Sequence, residues 1–565
     1  MTLVGRRRRG CAASDGVVVA SFLLGPLAVW PGFSDPFTSA KWYLLATLAT
    51  AWLLVERFLC GSRGLPSVVA RTWPAWAAIA LSVVVGSLRY GLGWAAEPLT
   101  ARATFLALAL ASFWYFRRTH VRLGPLRAAT LAAGTVVVGL GLAQFAGLDL
   151  LSWLAGGDHR SATFGNVNMA AQFAGLAAVV LLAVSAGGAG STRRQAANLA
   201  TELVAAGALA YAWLAGTRSV GLALAAAAVV LVLVGRLTMP RLLRIGAAAA
   251  LLAVAVPLLP RGLSGPLEPA VRQSKRATAL WRLAVWGDTL RLIRDQPAGV
   301  GAGNFEHEFI PYALAGESKP GEAIVFRSPH NDYLRLVSEE GIAGGLLLLG
   351  LLVVLARELH RSPAIGRWRS EPGALLASCG AFLLVEAFFQ FPFELAFPSL
   401  LAAVLLGLAL ACAEAPTDSG AAPSRGALRK TGDAACVLLA LVIGVGLVRI
   451  TVAEGLAAGP SRDVVALERA CALDPRRLEA CVEAAWLHSR AGEHAAARRA
   501  LDAVLHRSPY YFPAIKLLGE DLLAAGEQTA GCRYLRQYDE MLGGRSSVRE
   551  RLSESCPPDA RRQRM

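Results

Sequence analysis

The sequence predicts an all-α, polytopic membrane protein of about 12–13 transmembrane helices followed by a small helical-repeat domain. Three observations carry that prediction. Apolar runs of roughly 17–22 residues recur along most of the chain, each long enough to cross a hydrocarbon core of about 30 Å as a helix. Hydrophobic residues make up 55% of the chain and charged residues only 17%, against about a quarter in soluble domains. Beyond residue 455 the long apolar runs give way to shorter, charged segments that repeat every 34 residues.

The first predicted helix, 16–30, follows MTLVGRRRRGC. A secretory signal looks similar, but Pro31-Gly32-Phe33 follows rather than a small-residue cleavage site, so a retained helix is expected. Further spans are expected at 42–60, 73–90, 102–116, 126–147, 169–187, 199–216, 219–235 and 242–259. A long polar loop, 260–340, interrupts the series, which resumes at 341–356, 374–391 and 396–413. These form a domain over 1–413; a polar linker, 414–433, then precedes a last span at 434–450.

The formal net charge of +16 does not point to nucleic acid, because the basic residues lie mainly in short loops between apolar runs. Loops on one side hold the arginine run at 6–9, Arg63, Arg71, Arg117, Arg118, Arg122, Arg127, Arg193, Arg194, Arg236, Arg241, Arg244, Arg357, Arg361, Arg367 and Arg369, and the linker adds Arg425, Arg429 and Lys430. The opposite short loops hold little beyond Lys41, Arg102, Arg160 and Arg218. That asymmetry, roughly fivefold, places the N-terminus in the cytoplasm. Nine spans precede the 260–340 loop, so the loop faces outward. Thirteen spans put the C-terminal tail outside as well, and one span more or fewer would reverse it.

The nine cysteines form no CxxC pair. Cys60, Cys379, Cys412 and Cys436 lie in or near apolar runs and are expected to pack. Cys471, Cys481, Cys532 and Cys556 fall in or after the repeat; an oxidising compartment would let them pair, in an order the spacing leaves open. The repeat itself, 455–540, shows in Pro475 and Pro509, in Ala-Gly-Glu at 491–493 and 525–527, and in Leu467, Leu501 and Leu535. This resembles tetratricopeptide repeats. Two and a half repeats bury little alone, so the tail is expected to pack on the membrane domain or on a protein partner. Residues 541–565 read as disordered.

Four places carry candidate chemistry. Arg218, in LAGTRSVG, stands where one apolar helix ends and the next begins, and is either a snorkelling interfacial arginine or a phosphate ligand. Around Trp281, the residues Leu283, Trp286, Leu290 and Ile293 recur at helical spacing, with Arg282, Asp288, Arg291 and Arg294 off that stripe: an amphipathic helix at the membrane surface. The turn DQPAGVGAGNF lacks the preceding strand a dinucleotide loop needs, so its glycines point to close backbone packing near a substrate. His307-Glu308 is no HExxH zinc motif. His330 precedes NDYLRLVSEE, a helix expected to stop at Gly341, and a helix N-terminus would keep its ring neutral and able to act as a base.

Together GTRS at Arg218, RLAVW at Arg282, PAGVGAGNF, PHNDYLRLVSEEG, and FGNVNMAAQFAGL with Asn166 and Asn168 resemble the O-antigen ligase and polymerase family over about residues 15–415. The resemblance implies a GT-C-like membrane glycosyltransferase of the bacterial inner membrane. It would take a glycan from an undecaprenyl-diphosphate carrier at the periplasmic face, without metal, cofactor or nucleotide-sugar donor. Arg218 and Arg282 would hold the diphosphate and His330 would deprotonate or position the acceptor hydroxyl. Trp286, Asn304, Asn331 and Asn168 would line the substrate site. The acceptor would be lipid A core, a polysaccharide chain or a protein. The rival class is a glycan transporter or flippase, but mid-span charges are rare, Glu386 being one, and the notable residues gather on one face.

Overall fold

A computed structural model of the chain describes residues 3–33, 35–62, 94–148, 150–151, 160–185, 192–259, 270–316, 328–362, 369–414, 425–459, 463–544 and 546–556, with single positions between 77 and 88. Every regular element among them is a helix. They divide into two compact units. The first comprises Met1–Trp76, Leu99–Leu267 and Leu347–Leu447; the second comprises Ala77–Pro98, Glu268–Leu346 and Val448–Met565.

Nine helices among the described residues are long and apolar enough to cross a membrane, and Ala12–Leu27, Val167–Ala183 and Arg218–Leu233 are shorter apolar helices. These twelve coincide with twelve of the predicted spans; the span at 73–90 lies largely outside the described residues. Several ends differ, two of them by nine residues: Asp332–Arg361 begins ahead of 341 and Arg425–Ala458 ahead of 434. The last helix is Arg425–Ala458, so half of the expected linker 414–433 is helical, and Asp433 within it accepts a 2.7 Å hydrogen bond from Arg57 Nε.

The first unit packs by close helix approach rather than by bulk alone. Trp52, Phe113, Phe173 and Phe382 are fully buried in its core. Glycines sit where helices meet: a Cβ on Gly175 would come 3.0 Å from the Phe382 ring, and one on Gly407 would collide with Ser112 and lie 2.6 Å from the Ala109 carbonyl. Between apolar helices in lipid, small residues at the crossing are the main source of attraction, because they admit close packing. Buried charged groups find hydrogen-bond partners within the unit. Glu56, with no exposed surface, accepts from Ser14 Oγ at 2.6 Å, Ser62 Oγ at 2.7 Å and Arg118 Nη2 at 2.6 Å. Glu386 accepts from Gln172 Nε2 at 3.0 Å. Lys41, counted above as a loop charge, is buried and donates to the carbonyls of Ala28, Phe37 and Thr163.

In the second unit the 34-residue period is structural. The helix Val464–Leu473 is followed by the hairpin Leu478–Arg490 and His494–Arg507, and then by Phe512–Ala524 and Gln528–Met541. Each boundary of the second hairpin falls 34 residues after its counterpart in the first. Both hairpins turn on a left-handed glycine, Gly492 at φ 78° and Gly526 at φ 83°. Leu467, Leu501 and Leu535, which carried the period in sequence, are fully buried. Disulfides join Cys471 to Cys481 and Cys532 to Cys556. The expected disorder of 541–565 does not hold over 541–544 and 546–556, where Leu542 and Val548 are buried, Arg549–Ser555 is a helix and Cys556 is cross-linked; the remaining residues of that stretch lie outside the described ones. Trp94, far away in sequence, completes the hairpin core beside Leu478, Ala485, Leu501 and Val504.

Candidate functional site

The second unit also holds the loop on which most candidate residues lie. Its first element is the helix Ala270–Asp295. Val285 and Leu292 face inward against Val300, Phe305, Phe309 and Ala313. The stripe predicted from sequence splits. Ile293 is buried and Trp286 half-buried, whereas Leu283 and Leu290 are more than half exposed, with Leu280 beside them. Periodicity alone identified an apolar face but not which of two such faces the protein covers. The exposed one suits contact with lipid. Asp288, expected off the stripe, is buried and paired with Arg291.

The glycine turn comes next. Gly299, Gly301 and Gly303 have φ of 86°, 88° and 70°, open to glycine at little cost. The backbone they bring close is the protein's own. Val300 N donates to Ser338 O at 2.9 Å, Gly301 N to Glu339 O at 3.0 Å, and Ile342 N to Pro297 O at 2.9 Å. Gly341, at φ 76° and ψ 170°, breaks the helix Asp332–Arg361, as its place after SEEG predicted. A Cβ there would lie 2.5 Å from the Ala298 carbonyl. Two glycine bends thus interlock, which fixes the short helix 332–340 against the turn.

His330 stands just before that helix. Its φ is 53°, an uncommon conformation for a residue with a Cβ, of the kind that costs about 1–3 kcal/mol and clusters at functional sites. Its N–H donates to Ser328 Oγ at 3.3 Å. Asn331 is the helix cap, its Oδ1 accepting from Leu334 N at 3.0 Å. The tryptophans on the first helix reach the same place: Trp286 Nε1 donates to the Pro329 carbonyl at 2.9 Å, and the Trp281 ring lies edge-on to the His330 ring at 5.9 Å. Arg282, half-buried, sits between those tryptophans in sequence.

The remaining candidates are placed as follows. Asn304 is fully buried; it accepts from Trp94 Nε1 and donates to Val300 O, both at 2.9 Å, so its amide serves the turn. Asn331 is likewise committed to its cap. His307 is buried against Trp94, at 4.6 Å between rings, and burial, helped by Arg476, lowers its pKa to about 3. Arg218 and Asn168 belong to the first unit, and both are exposed. Arg218 opens the helix Arg218–Leu233 directly after the bend at Gly216, φ 66°, and Thr217. Asn166 caps the helix Val167–Ala183 by accepting from Asn168 N at 2.8 Å. Among the described residues no group of three or more His, Cys, Asp or Glu is placed to hold a metal ion.

Two left-handed bends, a strained histidine and paired tryptophans thus occupy one compact loop, and that loop matches a known family. Residues 203–349 match the O-antigen ligase family model. The matched stretch contains Arg218, Arg282, Trp286, the glycine turn, His330 and Gly341; Asn168 and the repeats lie beyond it. No curated protein matches the chain. The O-antigen ligase match supports a ligase- or polymerase-like role, and the long apolar helices are compatible with a multi-pass membrane protein. Sequence reasoning passed over Trp94 and Arg476. Neither lies in a motif, and only contacts over 173 and 210 positions of chain reveal them.

Proposed function

We propose that the protein transfers a glycan from an undecaprenyl-diphosphate carrier to an acceptor hydroxyl at the periplasmic face of the inner membrane. The observation that carries this is the O-antigen ligase match over the stretch that holds Arg218, Arg282 and His330. The acceptor oxygen, on lipid A core, polysaccharide or protein, attacks the anomeric carbon as the bond to the diphosphate oxygen breaks. Its proton passes to His330, and in-line attack inverts the anomeric centre. The leaving undecaprenyl diphosphate gathers negative charge, which Arg218 and Arg282 stabilise with their planar forks, so that no metal is required. The exposed leucines beside Arg282 hold the lipid carrier close.

The disulfides support the sidedness. Cross-linked cysteines belong to oxidising compartments, and both bridges lie in the unit that contains His330. The three buried thiols Cys379, Cys412 and Cys436 lie in the other unit.

Purified protein mixed with undecaprenyl-diphosphate glycan and acceptor transfers the glycan in the presence of a chelator. His330→Ala and Arg218→Ala each lower transfer by about 10²-fold or more without loss of folded protein. Ordinary turnover by both variants would refute the assignment, as would movement of the glycan across proteoliposomes with no transfer product.

A further inference from the structure

The repeats are built into the unit that carries the loop, and one side chain makes the connection. Arg476 lies in ALDPRR, between the helix Val464–Leu473 and the first hairpin. Its Nη2 donates to the Gly303 carbonyl. Its Nε is 3.3 Å from Glu97 Oε2, and its guanidinium carbon lies 5.5 Å from the centre of the Trp94 ring. Trp94 belongs to the hairpin core and also donates to Asn304. Asn304 holds Val300, and Val300 and Gly301 donate to Ser338 and Glu339 on the helix that His330 precedes. A continuous set of contacts, hydrogen bonds together with the stacking of Arg476 on Trp94, therefore runs from the tail to the helix that His330 precedes.

The fit is tight as well as polar. Gly303 has φ 70°, and a Cβ on it would fall 2.7 Å from Arg476 Nη1 and 2.8 Å from the Pro98 ring. Only 11% of the Arg476 side chain is exposed. A lysine would keep the charge but lose the fork and the face that stacks on Trp94. The neighbouring contacts hold the same corner: Arg477 pairs with Glu454, and Arg449 Nη2 donates to Leu473 O at 2.9 Å.

We propose that Arg476 is a positioning residue for glycan transfer, setting the glycine turn and through it His330, and that the repeats are a structural part of the catalytic unit. The proposal rests on the transfer reading above for its kinetic arm only. In full-length protein, Arg476→Ala lowers kcat by roughly 10- to 100-fold, the size expected for a misplaced catalytic group, with a much smaller change in KM for the lipid donor. Amide exchange then speeds up at 298–304 and 332–340 in the absence of substrate. Ethylguanidinium restores part of the activity to Arg476→Ala, while Arg476→Lys stays impaired. Arg498→Ala, which loosens the second hairpin by removing the contacts to Asp521 and Glu527, leaves kcat and both exchange segments unchanged. Unchanged exchange at 298–304 and 332–340 in Arg476→Ala would overturn the proposal, as would an equal loss in Arg498→Ala. If His330→Ala is inactive while Arg476→Ala is normal, transfer stands and the positioning role falls. If His330→Ala is active, the exchange arm still decides the coupling.

Discussion

The two units of this protein use buried polarity for different ends. In the first, buried charged groups are enclosed by partners: Glu56 takes three hydrogen bonds from Ser14, Ser62 and Arg118, and Lys41 donates to backbone carbonyls. In the second, polar side chains hold the backbone of the glycine turn, as Arg476 does at Gly303 and as Asn304, itself held by Trp94, does at Val300. The first pattern suits a scaffold surrounded by lipid, where an unmatched charge has no water to turn to. The second suits a turn whose supports come from distant segments and must be held in register.

The comparison is open to direct attack. The largest effect is expected in the scaffold. Glu56→Ala strands the Arg118 guanidinium and should cost about 3–5 kcal/mol, read as a sharp loss of monodisperse protein in detergent. Transfer per folded molecule should persist; loss of turnover without loss of folded protein would mean that the first unit does more than support. A smaller effect, confined to the second unit, follows removal of the Cys532–Cys556 bridge by serine substitution. About 2–4 kcal/mol of local stability should go, seen as faster amide exchange over 528–555. Reductant should do the same while the spanning helices keep their protection, because the thiols Cys379, Cys412 and Cys436 there are unbridged.

The smallest effect is a pH dependence of the repeats. Protonated His488 donates from Nε2 to Glu468 at 3.0 Å and from Nδ1 to Glu493 at 2.6 Å, and these hydrogen bonds raise its pKa above the ordinary value. A raised folded-state pKa stabilises below the unfolded value near 6.5 and loses that contribution as pH rises through the folded one. The unfolding midpoint of the repeats should therefore fall modestly from pH 6 to pH 8, and His488→Gln should flatten the slope. A midpoint that rises over the same interval would show that the Glu468 and Glu493 contacts do not govern it.

How much was legible in advance depended on how local the signal was. Gly341 was expected to end its helix and does bend it, because a left-handed glycine is a property of a few residues. The leucines at 467, 501 and 535 announced the hairpins for the same reason, since each repeat packs on its neighbour. His330 was legible as a residue ahead of a helix, but its left-handed backbone was not. The glycine turn was expected to serve close backbone packing, and it does so against Gly341, a partner 40 residues on that no pattern in PAGVGAG names. Asn304 and Asn331 were expected to line the substrate site, and the backbone each of them also holds was not legible beforehand. Residues 546–556 misled in the other direction, their polar composition hiding a helix pinned by Cys556.

By itself the sequence determined the helical class, the order of the spans, the period of the repeats and the stretch that resembles the O-antigen ligase family. The first three follow from the thickness of a bilayer, the pitch of a helix and the turn preferences of glycine and proline, all read within one element at a time. Tertiary structure alone decided which face of the Trp281 helix is covered, which cysteines pair, and that Trp94 and Arg476 tie the repeats to the glycine turn. Those are choices between distant segments. A hydrogen bond between side chains two hundred residues apart leaves no periodicity in either one, so only the folded chain reveals it.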